Sequence, residues 1–181
     1  MPRRLLIFGV FLTLAAATVR ILRDQGFIAL PPNVAPIAAL ALFGGTYLPR
    51  RLAFAVPLGA MLISDVVIGF YNPAILVSVY SSFMVTGLIG LWIRKHKRVS
   101  TTLVGALAGS TVFFLVTNAA VWLFGTIYPH TPAGLMASYV AGLPFFRYTV
   151  LGDLAFTGLL FGAFELVSLL VRRRNAVPQE P

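Results

Sequence analysis

The placement of the positive charges constrains this chain more than any other feature. All but three of its 14 Lys and Arg residues fall at four points, with long apolar stretches between them. These points are Arg3-Arg4, Arg50-Arg51, Arg94-Lys95-Lys97-Arg98 and Arg172-Arg173-Arg174. Because short cytoplasmic loops of membrane proteins carry the excess of Lys and Arg, this spacing predicts six membrane crossings with both termini in the cytoplasm. The net charge of +9 therefore reports topology, and no nucleic-acid partner is predicted.

Composition assigns the chain to a membrane. Hydrophobic residues make up 59% of it and charged residues 10%, which excludes both a soluble domain and a disordered chain. Six helices of about 20 residues would use most of its length. We therefore predict an all-α integral membrane protein, with one six-helix transmembrane domain over residues 1–174 and a disordered cytoplasmic tail over 175–181. The expected location is the bacterial cytoplasmic (inner) membrane, with lipid as a partner.

The apolar stretches place the predicted spans. They run near 5–21, 34–48, 52–70, 74–93, 102–124 and 150–171. The first stretch also resembles a signal peptide. We prefer a retained helix, because it keeps every later basic cluster on the inner side.

The segment between the last two spans, residues 125–149, is too long for a plain connector. Leu135, Met136, Tyr139, Val140 and Leu143 recur in it at helical spacing. This pattern predicts an amphipathic outer helix that lies at the membrane interface or folds over the bundle. We interpret it as a lid. In the spans themselves, the Gly patterns at 105–109 and 158–162 predict close helix contacts.

Polar residues at membrane depth are few, and the predicted spans gather them near the outer surface. Asp65, Asn118 and Asp153 are each expected within roughly 10 Å of that surface, given a rise of 1.5 Å per helical residue. Charged groups in a span normally face the bundle interior and are candidates for function. The predicted substrate-binding set is Asn33, Asp65, Asn118, Arg147, Asp153, His130 and Trp122.

A structural interpretation stays open for each of these residues. An aspartate paired with Arg147 would only neutralise charge, and Asn118 could bond a neighbouring carbonyl. Trp122 could serve as an interfacial anchor. The chain has two His and no Cys, so we predict no metal site and no cofactor. No catalytic constellation is evident, and the chain is not expected to be an enzyme.

Four segments carry a family resemblance. They are PNVAPIAALALFGGTYL from Pro32, MLISDVVIGFY from Met61, TNAAVWLFG from Thr117 and YPHTPAGLMASYVAGLPFFRYTVLGDLAF from Tyr128. Together they resemble an uncharacterised bacterial family of small six-span membrane proteins that is grouped with the substrate-binding S components of energy-coupling factor (ECF) vitamin transporters. The resemblance implies six helices, an outward-facing site for a vitamin-like molecule, and an energising transmembrane subunit with ATPases as partner. A solitary mode of action stays open.

The leading hypothesis is therefore a substrate-binding membrane subunit that takes up a small vitamin-like molecule through an outer pocket. The alternative is a non-transporting membrane scaffold or cell-envelope assembly protein, in which the polar set only locks the helices together. An intramembrane enzyme with an aspartate pair ranks third, because no nucleophile or metal set accompanies the two carboxylates.

Overall fold

A computed structural model describes residues 3–176, and over that range the chain is helical, with no strand. The helices are α1 Arg3–Asp24, α2 Ile37–Tyr47, α3 Arg50–Ile68, α4 Pro73–Ile93, α5 Val99–Phe124 and α6 Pro132–Ala176. Successive helices run in opposite directions. We call the end of the bundle that holds residues 69–72 the α3–α4 end, and the end that holds residues 94–98 the α4–α5 end.

Of the helices in residues 3–176, five are long and apolar enough to cross a membrane, namely α1, α3, α4, α5 and α6. Large apolar side chains on all five are exposed, such as Phe11, Val66, Val77, Leu115 and Leu159. In water this much exposed apolar surface would be unfavourable, whereas in a bilayer it meets lipid. The prediction of a multi-pass helical membrane protein is confirmed.

Helix α2 corrects the prediction of six full spans. It has 11 residues and is about 16 Å long, too short for a hydrocarbon core of about 30 Å. Prolines at 31, 32 and 36 keep the preceding segment out of the helix. Residues 37–46 are all buried, because α3, α4, α5 and α6 pack around α2. Such a short, central element is tolerated at membrane depth because protein surrounds it.

Glycines let α2 and α4 meet backbone to backbone. A Cβ added to Gly45 would lie 2.7 Å from the Cα of Gly90, and closer still to the Gly87 carbonyl oxygen. The absence of a side chain at Gly45 is therefore what allows this close approach. Arg94 then closes this end of α2 by donating to the carbonyl oxygens of Gly45, at 2.6 and 2.9 Å, and Leu48.

The two predicted Gly packing patterns behave differently. A Cβ on Gly109 would meet the Thr86 side chain at 3.0 Å, so the 105–109 pattern does pack against α4. Nothing lies within 4 Å of the Cβ positions of Gly158 and Gly162. That second prediction is wrong, because these glycines border a cavity rather than a helix.

Helix α1 packs beside α3 in the bundle. Its buried residues Gly9, Leu12, Ala16 and Ala17 form one face. The Leu52 side chain lies 3.4 Å from the Cβ position of Gly9. The two helices run in the same direction, so the C-terminal part of α1 lies against the C-terminal part of α3, where Arg20 contacts Asp65.

Helix α6 corrects the predicted lid. The loop after α5 covers only residues 125–131, and one helix of 45 residues follows it. Ser138 donates to the Asn118 carbonyl oxygen at 2.9 Å and Tyr139 to that of Leu115 at 3.1 Å. The segment predicted to be amphipathic is thus helical, but it packs along α5 and continues into the last span. Of the predicted tail, residues 177–181 lie outside the described part of the chain, and α6 includes 175 and 176.

Candidate functional site

A cavity of about 470 Å³ opens in the half of the bundle nearer the α3–α4 end. We call it the first cavity. It lies between the N-terminus of α2 and the α3–α4 end of the bundle, where the short helix leaves space between its longer neighbours. Its lining comprises Arg20, Arg23, Pro32, Asn33, Ala35, Ile37, Met61, Tyr71, Ile75, Val79, Phe83, Phe113, Phe114, Thr117, Asn118, Val121, Gly142, Phe145, Phe146 and Thr149.

Aromatic rings form much of its wall. Phe83 of α4 and Phe113 of α5 stack with centroids 5.3 Å apart. The rings of Phe114 and of Phe146 on α6 have centroids 4.7 Å apart. All four rings line the cavity, and aromatic side chains suit the apolar body of a small organic molecule.

Arg20 is the cavity residue held by the most polar contacts. Its Nη1 donates to Asp65 Oδ1 at 2.9 Å, and also to Ser64 Oγ. Tyr80 of α4 donates to the other carboxylate oxygen at 2.8 Å. Asp65 is 1% exposed and the Arg20 side chain 19%. One ion pair thus joins α1, α3 and α4, with the carboxylate behind the wall and the guanidinium at its surface.

Arg23 lies one turn further along α1 and also lines the first cavity. It makes no ion pair with any residue of the described range, where Arg20–Asp65 is the one salt bridge. Tyr71, in the loop after α3, is a second polar group of this region. Burial chiefly, with the nearby Asp65 charge adding to it, raises the pKa of the Tyr71 phenol above its ordinary value. The neutral phenol can therefore donate a hydrogen bond.

Two residues of the predicted set line the first cavity. Asn33 adopts a φ of 64° in the segment before α2, a left-handed conformation that asparagine tolerates better than most residues. Asn118 donates through Nδ2 to the Phe114 carbonyl oxygen at 2.8 Å. Its amide also fits against Gly142, where an added Cβ would lie 2.5 Å from Oδ1. Asn118 is therefore both a wall residue and a packing contact between α5 and α6.

Asp65 and Asp153 do not line the cavity. Asp65 supports Arg20 from behind. Asp153 is buried, and its Oδ2 lies within hydrogen-bonding distance of Ser110 Oγ, at 2.6 Å. Ser110 lies eight residues before Asn118 on α5, about 12 Å deeper along the helix. We predicted one common depth for the two aspartates and Asn118. The structure instead places Asp153 deeper than Asn118.

The remaining predicted residues lie elsewhere. Arg147 is exposed and donates to the hydroxyl of its neighbour Tyr148 at 2.7 Å, so it pairs with neither aspartate. Trp122 donates from Nε1 to the Pro129 carbonyl oxygen at 3.0 Å. His130 lies at the edge of the Trp122 ring, with centroids 6.0 Å apart. These contacts hold loop 125–131 in place.

Sequence reasoning did not include Arg20 and Arg23 among the site residues. Their position was a signal for a role in the site. Both arginines lie outside the four basic clusters, and they are three residues apart at the end of the first span. Thr149 was also missed, since the predicted start of the last span left it in a loop. No group of three His, Asp or Glu side chains that could hold a metal ion occurs in the part of the chain that the structure describes.

A second cavity, also of about 470 Å³, lies toward the α4–α5 end. Its lining residues come from the end of α2, the end of α4 and the loop after it, the start of α5 and the middle of α6. They include Tyr47, Lys97, Thr157, Gly158 and Glu165. Tyr47 donates to Glu165 Oε1 at 2.6 Å, and Lys97 Nζ lies 4.2 Å from the centroid of the Tyr47 ring. Asp153 lies between the levels of the two cavities.

Over residues 2–177 the chain belongs to a family of unknown function, DUF6580. No curated protein matches it, and no solved structure does. Family membership thus covers the whole bundle, whereas the grouping with ECF S components rests on the resemblance alone.

Proposed function

We propose that the protein is a substrate-binding membrane subunit, similar to an ECF S component, that takes a small vitamin-like molecule into the first cavity. The observation that carries this proposal is the cavity itself. Its volume of about 470 Å³ falls within the roughly 300–1,000 Å³ typical of small-molecule sites. Its walls combine stacked aromatic rings with a few convergent polar groups, the composition expected of such a site.

The charges of the lining favour a ligand with an anionic group. The first cavity is lined by Arg20 and Arg23 and by no Asp or Glu among the described residues. Asp65 balances the charge of Arg20, whereas Arg23 has no acidic partner among the described residues. Such a group binds a carboxylate or a phosphate through paired, charge-assisted hydrogen bonds. We therefore expect a molecule with a flat apolar body and a negatively charged end.

Topology supports uptake from outside the cell. The Lys and Arg clusters lie at the α4–α5 end, and the positive-inside rule assigns that end to the cytoplasm. The first cavity then faces the outer side of the bacterial inner membrane. The partner in this proposal is an energising transmembrane subunit with ATPases, because the chain carries no nucleotide-binding loop of its own.

Retention of a ligand through purification tests the proposal. The protein is purified in mild detergent, and the denatured extract is analysed by untargeted mass spectrometry. We expect one anionic small molecule at a stoichiometric amount, since a nanomolar complex persists through purification. A clean extract from protein produced in rich medium would instead favour the scaffold.

Two arginine variants locate the site. Arg23→Gln removes a charge-assisted contact that contributes about 1.5–3 kcal/mol, so we expect affinity for the retained molecule to fall about 10- to 100-fold. Arg147→Gln is the matched control, because Arg147 is exposed and outside the cavity lining. Isothermal titration of stripped protein measures both. Loss of binding in Arg147→Gln with none in Arg23→Gln would contradict this placement.

A further inference from the structure

Three buried polar side chains form a line on one face of α6. Thr149, Asp153 and Thr157 are four residues apart, so they lie above one another on the helix, and their exposed fractions are 5%, 4% and 1%. Thr149 lines the first cavity and Thr157 the second. The line spans about 12 Å along the helix axis. Asp153 is thus midway between two cavities that open toward opposite ends of the bundle.

The hydrogen bonds of Ser110 indicate which form of Asp153 fits this position. Ser110 Oγ lies 2.6 Å from Asp153 Oδ2 and 3.1 Å from the Ala106 carbonyl oxygen. Both partners are acceptors when Asp153 is ionised, and a hydroxyl has one proton to donate. If Asp153 holds a proton, it donates to Ser110 Oγ, which then donates to Ala106. The protonated carboxyl satisfies both contacts.

Among the described residues packed around Asp153, no cation balances its ionised form. Helices α5 and α2 pack against α6. Residues 99–124 of α5 include no titratable side chain, and in α2 only Tyr47 has one, bonded to Glu165. The segment before α2 presents Val34 beside Gly152. On α6 itself the nearest charged residue, Arg147, is exposed and bonded to Tyr148. An unbalanced buried charge is unfavourable, and a neutral carboxyl avoids it.

Thr157 supplies a second, independent observation. Its Oγ1 is fully buried and has no hydrogen-bond partner among the described residues. A buried hydroxyl without a partner is uncommon, and it commonly marks a place for a water molecule or an ion. Here the hydroxyl lies one turn from Asp153, on the side of the second cavity.

We propose that Asp153 is a proton-binding site in the centre of the bundle, placed to exchange its proton with water in both cavities. The carboxyl transfers its proton to a water molecule beside Thr149 or Thr157, leaving a carboxylate and a hydronium ion, and the reverse transfer restores it. The site does not depend on the ligand of the first cavity. It adds a proton-linked step to a bundle whose two cavities are separated at Asp153.

Infrared spectroscopy of the whole protein in liposomes tests the protonation state. At neutral pH we expect a carbonyl band of a protonated carboxylic acid that is lost in Asp153→Asn. Asp24→Asn, at an exposed position, is the control and should keep the band. A wild-type spectrum without the band, or a band unchanged in Asp153→Asn, would overturn the proposal.

Deuterium exchange separates proton exchange from a purely structural acid. On transfer to deuterated buffer, the Asp153 band should shift within the mixing time. The double variant Thr149→Val/Thr157→Val should keep the band but delay its shift, because the hydroxyls beside both cavities are removed. Thr111→Val, which alters an exposed hydroxyl on α5, should exchange like the wild type. A band that never shifts, or a double variant as fast as the wild type, would refute exchange through this line.

Discussion

Asp65→Asn should lower the free energy of unfolding by about 3 kcal/mol, in the range for removing one partner of a buried ion pair. The substitution preserves shape but leaves the Arg20 guanidinium without its counter-charge. It also weakens the acceptor for the Tyr80 hydroxyl, which bonds Asp65 at 2.8 Å. Three helices lose a shared contact at once. The midpoint of thermal unfolding in detergent measures the effect, and Asp24→Asn provides the exposed control.

A double-mutant cycle identifies the ion pair as the cause. Arg20→Met combined with Asp65→Leu removes both charges, so the double variant should be more stable than the sum of the single effects indicates. If Asp65→Asn lost ligand binding but unfolded at the wild-type midpoint, the carboxylate would act on the ligand directly. That result would contradict the supporting role that the structure gives it.

Gly45→Val should prevent the bundle from forming. The new side chain would start 2.7 Å from the Cα of Gly90 and would meet α4 backbone, which cannot move aside as a side chain could. Overpacking of a core costs about 1–3 kcal/mol when side chains can adjust, and here they cannot. We expect little folded protein in the membrane, measured by fluorescence-detected size exclusion of a fusion.

Gly158→Val is the matched control for that experiment. The substitution is the same, but nothing lies within 4 Å of its Cβ position. It should accumulate at the wild-type level while filling part of the second cavity. Equal loss of both variants would show that valine itself, rather than the contact between α2 and α4, disturbs the protein.

Long apolar segments made much of the fold predictable. The predicted spans one, three, four and five match α1, α3, α4 and α5, and their ends differ by only a few residues. Each of them begins at or directly after a basic residue or a proline, and such residues are strong local signals. The extent of α6 was not predictable, because Pro144 is a residue that usually ends or kinks a helix. The structure shows that α6 continues through it.

The candidate site was only partly predictable. Asn33 and Asn118 line the first cavity, whereas Arg147 is exposed and bonded to Tyr148. Asp65 pairs with Arg20 instead of Arg147. Sequence position constrains the depth of a residue in a span. It does not determine the direction of the side chain around the helix axis, which depends on how neighbouring helices pack.

By itself, the sequence determined that this chain is a helical membrane protein, because lipid demands long apolar helices and basic clusters report their ends. Only the tertiary structure decided that α2 is a short buried helix. The neighbouring helices cover it, and its own sequence does not specify how they pack. The same packing left space above α2 for the first cavity. It also set Arg20 against Asp65 and Asp153 beside Ser110, since these contacts join residues more than 40 positions apart.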